Sequence, residues 1–168
     1  MPRDRAPRVF RSILCPVDFS CNSRAALRYA AMLARLSDAH LMVLYVNDPL
    51  LATAAATRPD AEAILATTEK DLRRFVTEAM RNTTPAVHTT LLTIAGKPAR
   101  EIVSAAERHD CDLIVIGYRG VGRASRLLFG STTEGVVRTT SVPVVAIPPA
   151  RRRARLPEAD RARLSRAS

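Results

Sequence analysis

Short apolar runs alternate along the chain with longer stretches of helical periodicity, the arrangement that βαβ units produce. Residues 10–17 (FRSILCPV) and 40–46 (HLMVLYV) read as strands. Between them SRAALRYAAMLARL spaces its Ala and Leu positions as one face of a helix, with Ser20 or Asn22 as the N-cap. From 60 to 81, Ile64, Leu65, Leu72, Phe75, Val76 and Ala79 recur at helical spacing among charged residues, which predicts a second, amphipathic helix. The uncharged LLATAAATRP before it reads as a loop or weak helix ordered only by its neighbours. Residues 87–94 (VHTTLLTI) form a strand whose Thr and His content suits a sheet edge. Gly96 and Pro98 introduce a helix over 98–108, since a proline in the first turn gives up no intrahelical bond. DLIVIG, ending at Gly117, and VPVVAIPP, ending at Pro149, read as buried parallel strands.

Five strands with intervening helices predict a single-domain α/β fold, a doubly wound five-stranded parallel sheet of order 3-2-1-4-5 with helices on both faces. Winding reverses between strands 1 and 4. A crevice is expected there, at the strand ends CPVD and VIGYRG, where such sheets bind ligands.

Composition narrows this picture. A chain of 168 residues, 47% hydrophobic and without Trp, has one aliphatic core. The formal charge of +10 first suggests nucleic acid, but it sits at the ends. Four Arg in 1–11 and seven in 150–168 leave residues 12–149 with 15 basic and 13 acidic side chains. The expected organisation is a basic tail over 1–9, a domain over 10–149 and an Arg-rich, flexible tail over 150–168. No aromatic residues interleave with the arginines, so nucleic acid is not the expected partner. Cys15, Cys21 and Cys111 are odd in number and lack CxxC spacing, which predicts free thiols in a reducing compartment. No apolar run approaches the ~20 residues that span a bilayer. A soluble cytoplasmic protein is expected.

The chemistry concentrates after the fourth strand. From Gly117 the chain runs GYRGVGRASRLLFGSTTEGV, placing Gly117, Gly120, Gly130 and Ser131 in the spacing G-x2-G-x9-G-[S/T]. Glycines allow φ > 0 and bring N–H groups against a phosphate. Ser131 and Glu134 read as an S-x-x-E capping box at a helix start, where free N–H groups and the helix dipole favour an anion. Each feature alone also fits a plain turn or cap. The length of 118–129 weighs toward function, being 12 residues where such connections usually take about 2–6. Arg119, Arg123 and Arg126 fall in the same segment, where they could reach phosphate oxygens or stand as ordinary exposed loop arginines. Asp18 ends the first strand across the crevice, placed to accept hydrogen bonds from ribose hydroxyls or to serve only as a turn carboxylate.

Together with CPVDFS, LYVNDP, GKPAREIVSAAERHDCDLIVIG and SVPVVAIP, this motif makes residues 10 to 148 resemble the ATP-binding subgroup of the universal stress protein family. The resemblance implies the Rossmann-like, adenine nucleotide alpha hydrolase-like fold. It further implies that Asp18 contacts the nucleoside beside Pro16 and Val17, that the Val46 backbone reads the adenine edge, and that Gly120, Gly130, Ser131, Thr132 and Thr133 hold phosphates. ATP with Mg is the implied cofactor and stress response or signalling toward an unknown protein partner the implied role. Family members commonly dimerise through the last strand, here 142–148, whose apolar edge would otherwise stand exposed.

Other chemistry finds little support. GxxxxGK[ST], an SGGxDS-like loop and a dinucleotide fingerprint are all missing, and His40, His88 and His109 have no metal-ligand spacing. No general base accompanies Ser131, so any hydrolysis should be slow. A slow ATPase or self-phosphorylating enzyme using Ser131, Thr132 or Thr133, and a nucleotide-free protein binding through its basic tails, stand as the alternative readings.

Overall fold

The computed structural model describes residues 9–47, 61–81, 86–118 and 130–149. The stretch 50–59, the loop arginines, Gly120 and both basic tails apart from Val9 lie outside them, as do the side chains of Ile64 and Leu65. The chain runs β1 (Ser12–Val17), α1 (Cys21–Ser37), β2 (His40–Asn47), α2 (Ala61–Met80), β3 (Thr89–Ala95), α3 (Pro98–Arg108), β4 (Leu113–Gly117), α4 (Ser131–Thr139) and β5 (Val144–Ile147). The strands form one parallel sheet of order β3-β2-β1-β4-β5, as expected.

Because helices cover both faces, the central strands carry apolar residues at consecutive positions rather than at alternate ones. Ile13, Cys15 and Val17 of β1 pack with Val43 and Val115 against α1 and α2, while Leu14 packs with Leu44, Ile114 and Ile116 against α3 and α4. On α1 the buried stripe is Leu27 with Ala26, Ala30, Ala31 and Ala34, and the small alanines let the helix lie close to the sheet. Leu72, Phe75, Val76 and Ala79 give α2 its buried face, matching the period read from the sequence. Of the two candidate caps for α1, Ser20 is the one used: its side chain accepts from the Ser23 amide.

The edges differ from the centre. β3 is half-buried over most of its length, in keeping with its Thr content. β5 is shorter than VPVVAIPP suggests, because Pro143 and Pro148 flank it and neither can donate to a ladder. It is also less covered than a buried strand: Ile147 alone among its residues is buried, and Val145 is 39% exposed. All three cysteines are free, with Cys15 and Cys111 buried and Cys21 exposed. Burial pushes the Cys15 thiol pKa well up, so it stays protonated.

At the amino ends of the strands, Asp112 ties β1 to β4 by accepting from the backbone amides of Arg11 and Ser12. Desolvation works to raise its pKa, but these amides and the Arg11 guanidinium outweigh it, and the net shift is downward. A carboxyl whose pKa is lowered by folding stabilises fully above its unfolded value, near 3.9, and loses that contribution as pH falls through the lower folded value. Asp112→Asn should therefore cost about 1 kcal/mol at neutral pH. The difference from wild type should shrink in denaturant titrations below about pH 3.9.

Candidate functional site

A cleft opens at the carboxyl ends of β1 and β4, where the winding reverses. Its walls are Pro16, Val17 and Asp18 at the end of β1, Leu44 and Val46 of β2, and Ile116 and Gly117 of β4. Ser23 of α1, Pro98 and Ile102 of α3, and Thr132 and Thr133 of α4 complete it. The result is a largely apolar pocket whose described lining includes one carboxylate and a few hydroxyls, the usual make-up of a small-molecule site.

Of the two roles that its sequence position left open, Asp18 takes that of the turn carboxylate, and it also lines the cleft. Its Oδ1 accepts from the Ser20 amide at 3.1 Å, bracing the turn, while the residue itself lines the cleft. Its own amide donates to Ser23 Oγ at 3.3 Å, so the turn and the first residues of α1 are hydrogen-bonded as one unit. Beside it, burial raises the Tyr45 phenol pKa, and the Asp18 charge adds to the shift.

Gly117 owes its identity to packing. Its backbone is not in the positive-φ region, but a Cβ there would lie 3.1 Å from the carbonyl carbon of Asn22 and 3.2 Å from the Ser23 nitrogen. The absent side chain is what lets α1 begin against the end of β4. Gly130 likewise departs from the positive-φ expectation, with φ −59° and ψ 148°. Its amide donates to the Tyr118 carbonyl at 3.1 Å, pinning together the two ends of the long connection.

The expected capping box at α4 is not formed. Gly130 is the N-cap and Ser131 is already the first helical residue, so no side chain caps the start. The Glu134 carboxylate instead takes a hydrogen bond from Arg138 at 2.6 Å, one turn along the helix. Thr133 is 2% exposed and donates its hydroxyl to the Gly117 carbonyl at 2.9 Å, fastening α4 to the end of β4. The amides of Ser131, Thr132 and Thr133 thus have no intrahelical acceptor, and none among the described residues. The other two helix starts at the cleft differ. Ser20 caps α1, and α3 opens on Pro98, which has no N–H to offer.

The cleft therefore unites Pro16, Val17, Asp18, Val46, Gly117, Thr132 and Thr133 of the expected residues. Gly130 and Ser131 sit at the adjoining helix start without lining it, and Arg119 and Gly120 lie outside the described residues. Ser23, Leu44, Pro98, Ile102 and Ile116 were not anticipated. The Gly96–Pro98 punctuation after β3 was the available signal for α3, because it starts a helix at the carboxyl end of the sheet. Among the described residues no group of three His, Cys, Asp or Glu could hold a metal ion, and no helix is long and apolar enough to cross a membrane.

The model of the universal stress protein family matches residues 10–148. Universal stress protein MJ0531 of Methanocaldococcus jannaschii is 30% identical over 142 residues, covering 83% of this chain and 82% of its own. The solved structure of MJ0577, from the same organism, superposes with a TM-score of 0.69 at 24% identity, covering 84% of this chain and 97% of that one. A universal stress protein from Archaeoglobus fulgidus, solved in complex with dAMP, gives a TM-score of 0.58 at 24% identity over 83% of this chain and 98% of its own. With the sheet order, the family match over nearly all of the described chain and these relatives agreeing, the chain belongs to the universal stress protein family.

Proposed function

We propose that the cleft binds an adenine nucleotide, ATP with Mg, and that occupancy sets which protein partner the chain engages. The observation that carries this reading is the uncapped start of α4 beside a cleft whose one carboxylate is Asp18. Three amides with no acceptor among the described residues, at the positive end of a helix, suit a polyphosphate. The carboxylate suits ribose hydroxyls, and Leu44, Val46, Ile102 and Ile116 suit a flat base. The residues present thus fit the nucleotide, with Ser131 and Thr132 toward the phosphates and Asp18, Val17 and Pro16 toward the nucleoside. Thr133 fits through its amide, its hydroxyl already being given to Gly117. Mg would be carried chiefly by phosphate oxygens, as is usual for this ion. A related protein that holds dAMP supports the choice of an adenine base.

Calorimetric titration of nucleotide-stripped protein with Mg-ATP tests the reading, and no heat of binding at millimolar ATP would overturn it. Two substitutions of Asp18 separate its two roles. Asp18→Ala should weaken ATP binding about tenfold or more, the loss of a hydrogen bond to a charged group, and should also lower stability by freeing the Ser20 amide. Asp18→Asn keeps an oxygen for that amide, so its melting temperature should stay near wild type while affinity still falls.

The same reading has the chain form a homodimer through 142–148. The exposed Val145 on an edge strand supports it, since unpaired strand edges recruit partners. Val145→Glu should convert dimer to monomer in sedimentation velocity at micromolar protein; an unchanged sedimentation coefficient would remove this interface.

A further inference from the structure

Among the described residues, three other than glycine adopt positive φ: Phe19 at 62°, Asp38 at 52° and Asp110 at 47°. The two aspartates follow helices, where a short polar side chain tolerates the left-handed region. Phe19 is different. It joins a strand to a helix, it carries a bulky ring, and it stands between the cleft carboxylate Asp18 and the helix cap Ser20. A large side chain held in this region marks strain that surrounding structure must maintain.

What maintains it lies on the other side of the sheet from α3 and α4. The Phe19 ring stacks on Tyr45 with centroids 4.6 Å apart and a 32° tilt, and meets Phe75 edge-on at 5.4 Å. Phe75 is itself covered by the Arg24 guanidinium, 4.7 Å from its centroid, and Arg24 is held by Glu78 at 3.3 Å. Tyr45 of β2 and Phe75 of α2 thus meet the ring of a residue that is still 37% exposed and is not part of the cleft lining. Burial of apolar area is a weak account of such a residue, since an ordinary turn residue would spare the backbone its strain. The ring's contacts also act where the chain leaves β1, one residue beyond Asp18, whose carboxylate is held by the Ser20 amide on the other side of the turn.

We propose that Phe19 is a positioning residue of the cleft, its ring anchored by Tyr45 and Phe75 so that the left-handed turn presents Asp18 to the ligand. The inference rests on the nucleotide reading for its ligand, the recognised chemistry being the ribose diol, and on the hydrogen-bonded turn for its geometry.

The experiment compares Phe19→Ala and Phe19→Tyr with wild-type full-length protein in two measurements. Hydrogen exchange of the ligand-free protein reads the Ser20 amide, which bonds to Asp18 Oδ1 at 3.1 Å. Calorimetry reads affinity for Mg-ATP and for Mg-2′,3′-dideoxy-ATP, which lacks the diol. In Phe19→Ala, Ser20 should exchange about tenfold faster while amides within β1 and β4 keep their protection. ATP affinity should fall about tenfold with dideoxy-ATP affinity unchanged, as expected when one contact to the diol is lost. Phe19→Tyr, which keeps the ring, should match wild type in both. Unchanged Ser20 exchange in Phe19→Ala, or equal weakening of the two nucleotides, overturns the proposal. If wild type binds neither nucleotide, the binding reading fails by itself, and the positioning of Asp18 stands or falls on the exchange measurement.

Discussion

Replacing Gly117 by valine is expected to destabilise the domain by about 3 kcal/mol, the upper range for overpacking a filled site. For a domain of this size that corresponds to roughly 6–12 °C in the thermal midpoint. Local preference points the other way, because Gly117 ends a strand and valine is a better strand former than glycine. The tertiary contact decides the sign. A Cβ would already sit 3.1–3.2 Å from backbone atoms of Asn22 and Ser23, and those atoms belong to a helix start that cannot rotate out of the way. Valine adds two methyl groups to that encounter. The only relief is to move the start of α1 from β4, and Ser23 carries the hydrogen bonds that hold Ser20 and Asp18. Nucleotide affinity should fall along with stability. Gly117→Ala, with the Cβ alone, should cost about 1 kcal/mol. Thermal melts of the two variants would check the order; a valine variant as stable as wild type would mean that α1 can shift freely.

This glycine also shows where sequence reading stops. Period and alternation were enough for the strands, the helices and the sheet order, because β1, β2 and β4 are covered on both faces and β3 advertises its edge through Thr89, Thr90 and Thr93. The cleft followed from the order, since winding out from β1 and back to β4 leaves a gap at their carboxyl ends. The reasons for individual residues did not follow. Gly117 reads as a phosphate-loop glycine free to take positive φ, yet its requirement comes from α1, nearly one hundred residues earlier, which no local pattern can reveal. Ser131 and Glu134 have the spacing of a capping box, but glycine is also an acceptable N-cap, and a helix beginning one residue earlier turns the serine into its first residue. Phe19 looks like any apolar residue at a strand end. Its positive φ belongs to the folded turn, and its contact with Phe75 exists only once α2 has packed against the domain.

Gly135→Ala offers a sharper test of the cleft's architecture, because helix propensity and packing again predict opposite signs. Glycine within a helix costs about 1 kcal/mol relative to alanine, so in an isolated α4 the substitution would stabilise. In the folded protein a Cβ at this position would lie 2.8 Å from the Ala99 Cβ of α3, well inside van der Waals contact. Both atoms are fixed to helix backbones, so α3 and α4 must separate. These are the helices that carry Pro98 and Ile102 on one wall of the cleft and Thr132 and Thr133 on another. The clash, about 2 kcal/mol within the overpacking range, should exceed the propensity gain and leave a net loss of about 1 kcal/mol. Ala99→Gly alone should also cost up to about 1 kcal/mol, through propensity and the lost contact. Combined, the two exchange one methyl group across the interface and should return stability close to wild type. That gives a coupling of about 2 kcal/mol between residues on different helices, measurable by denaturant titration of the four proteins. Additive losses would mean that the helices accommodate the extra methyl independently. Coupled losses matched by a parallel fall and recovery of nucleotide affinity would identify the spacing of α3 and α4 at Ala99 and Gly135 as what sets the width of the cleft.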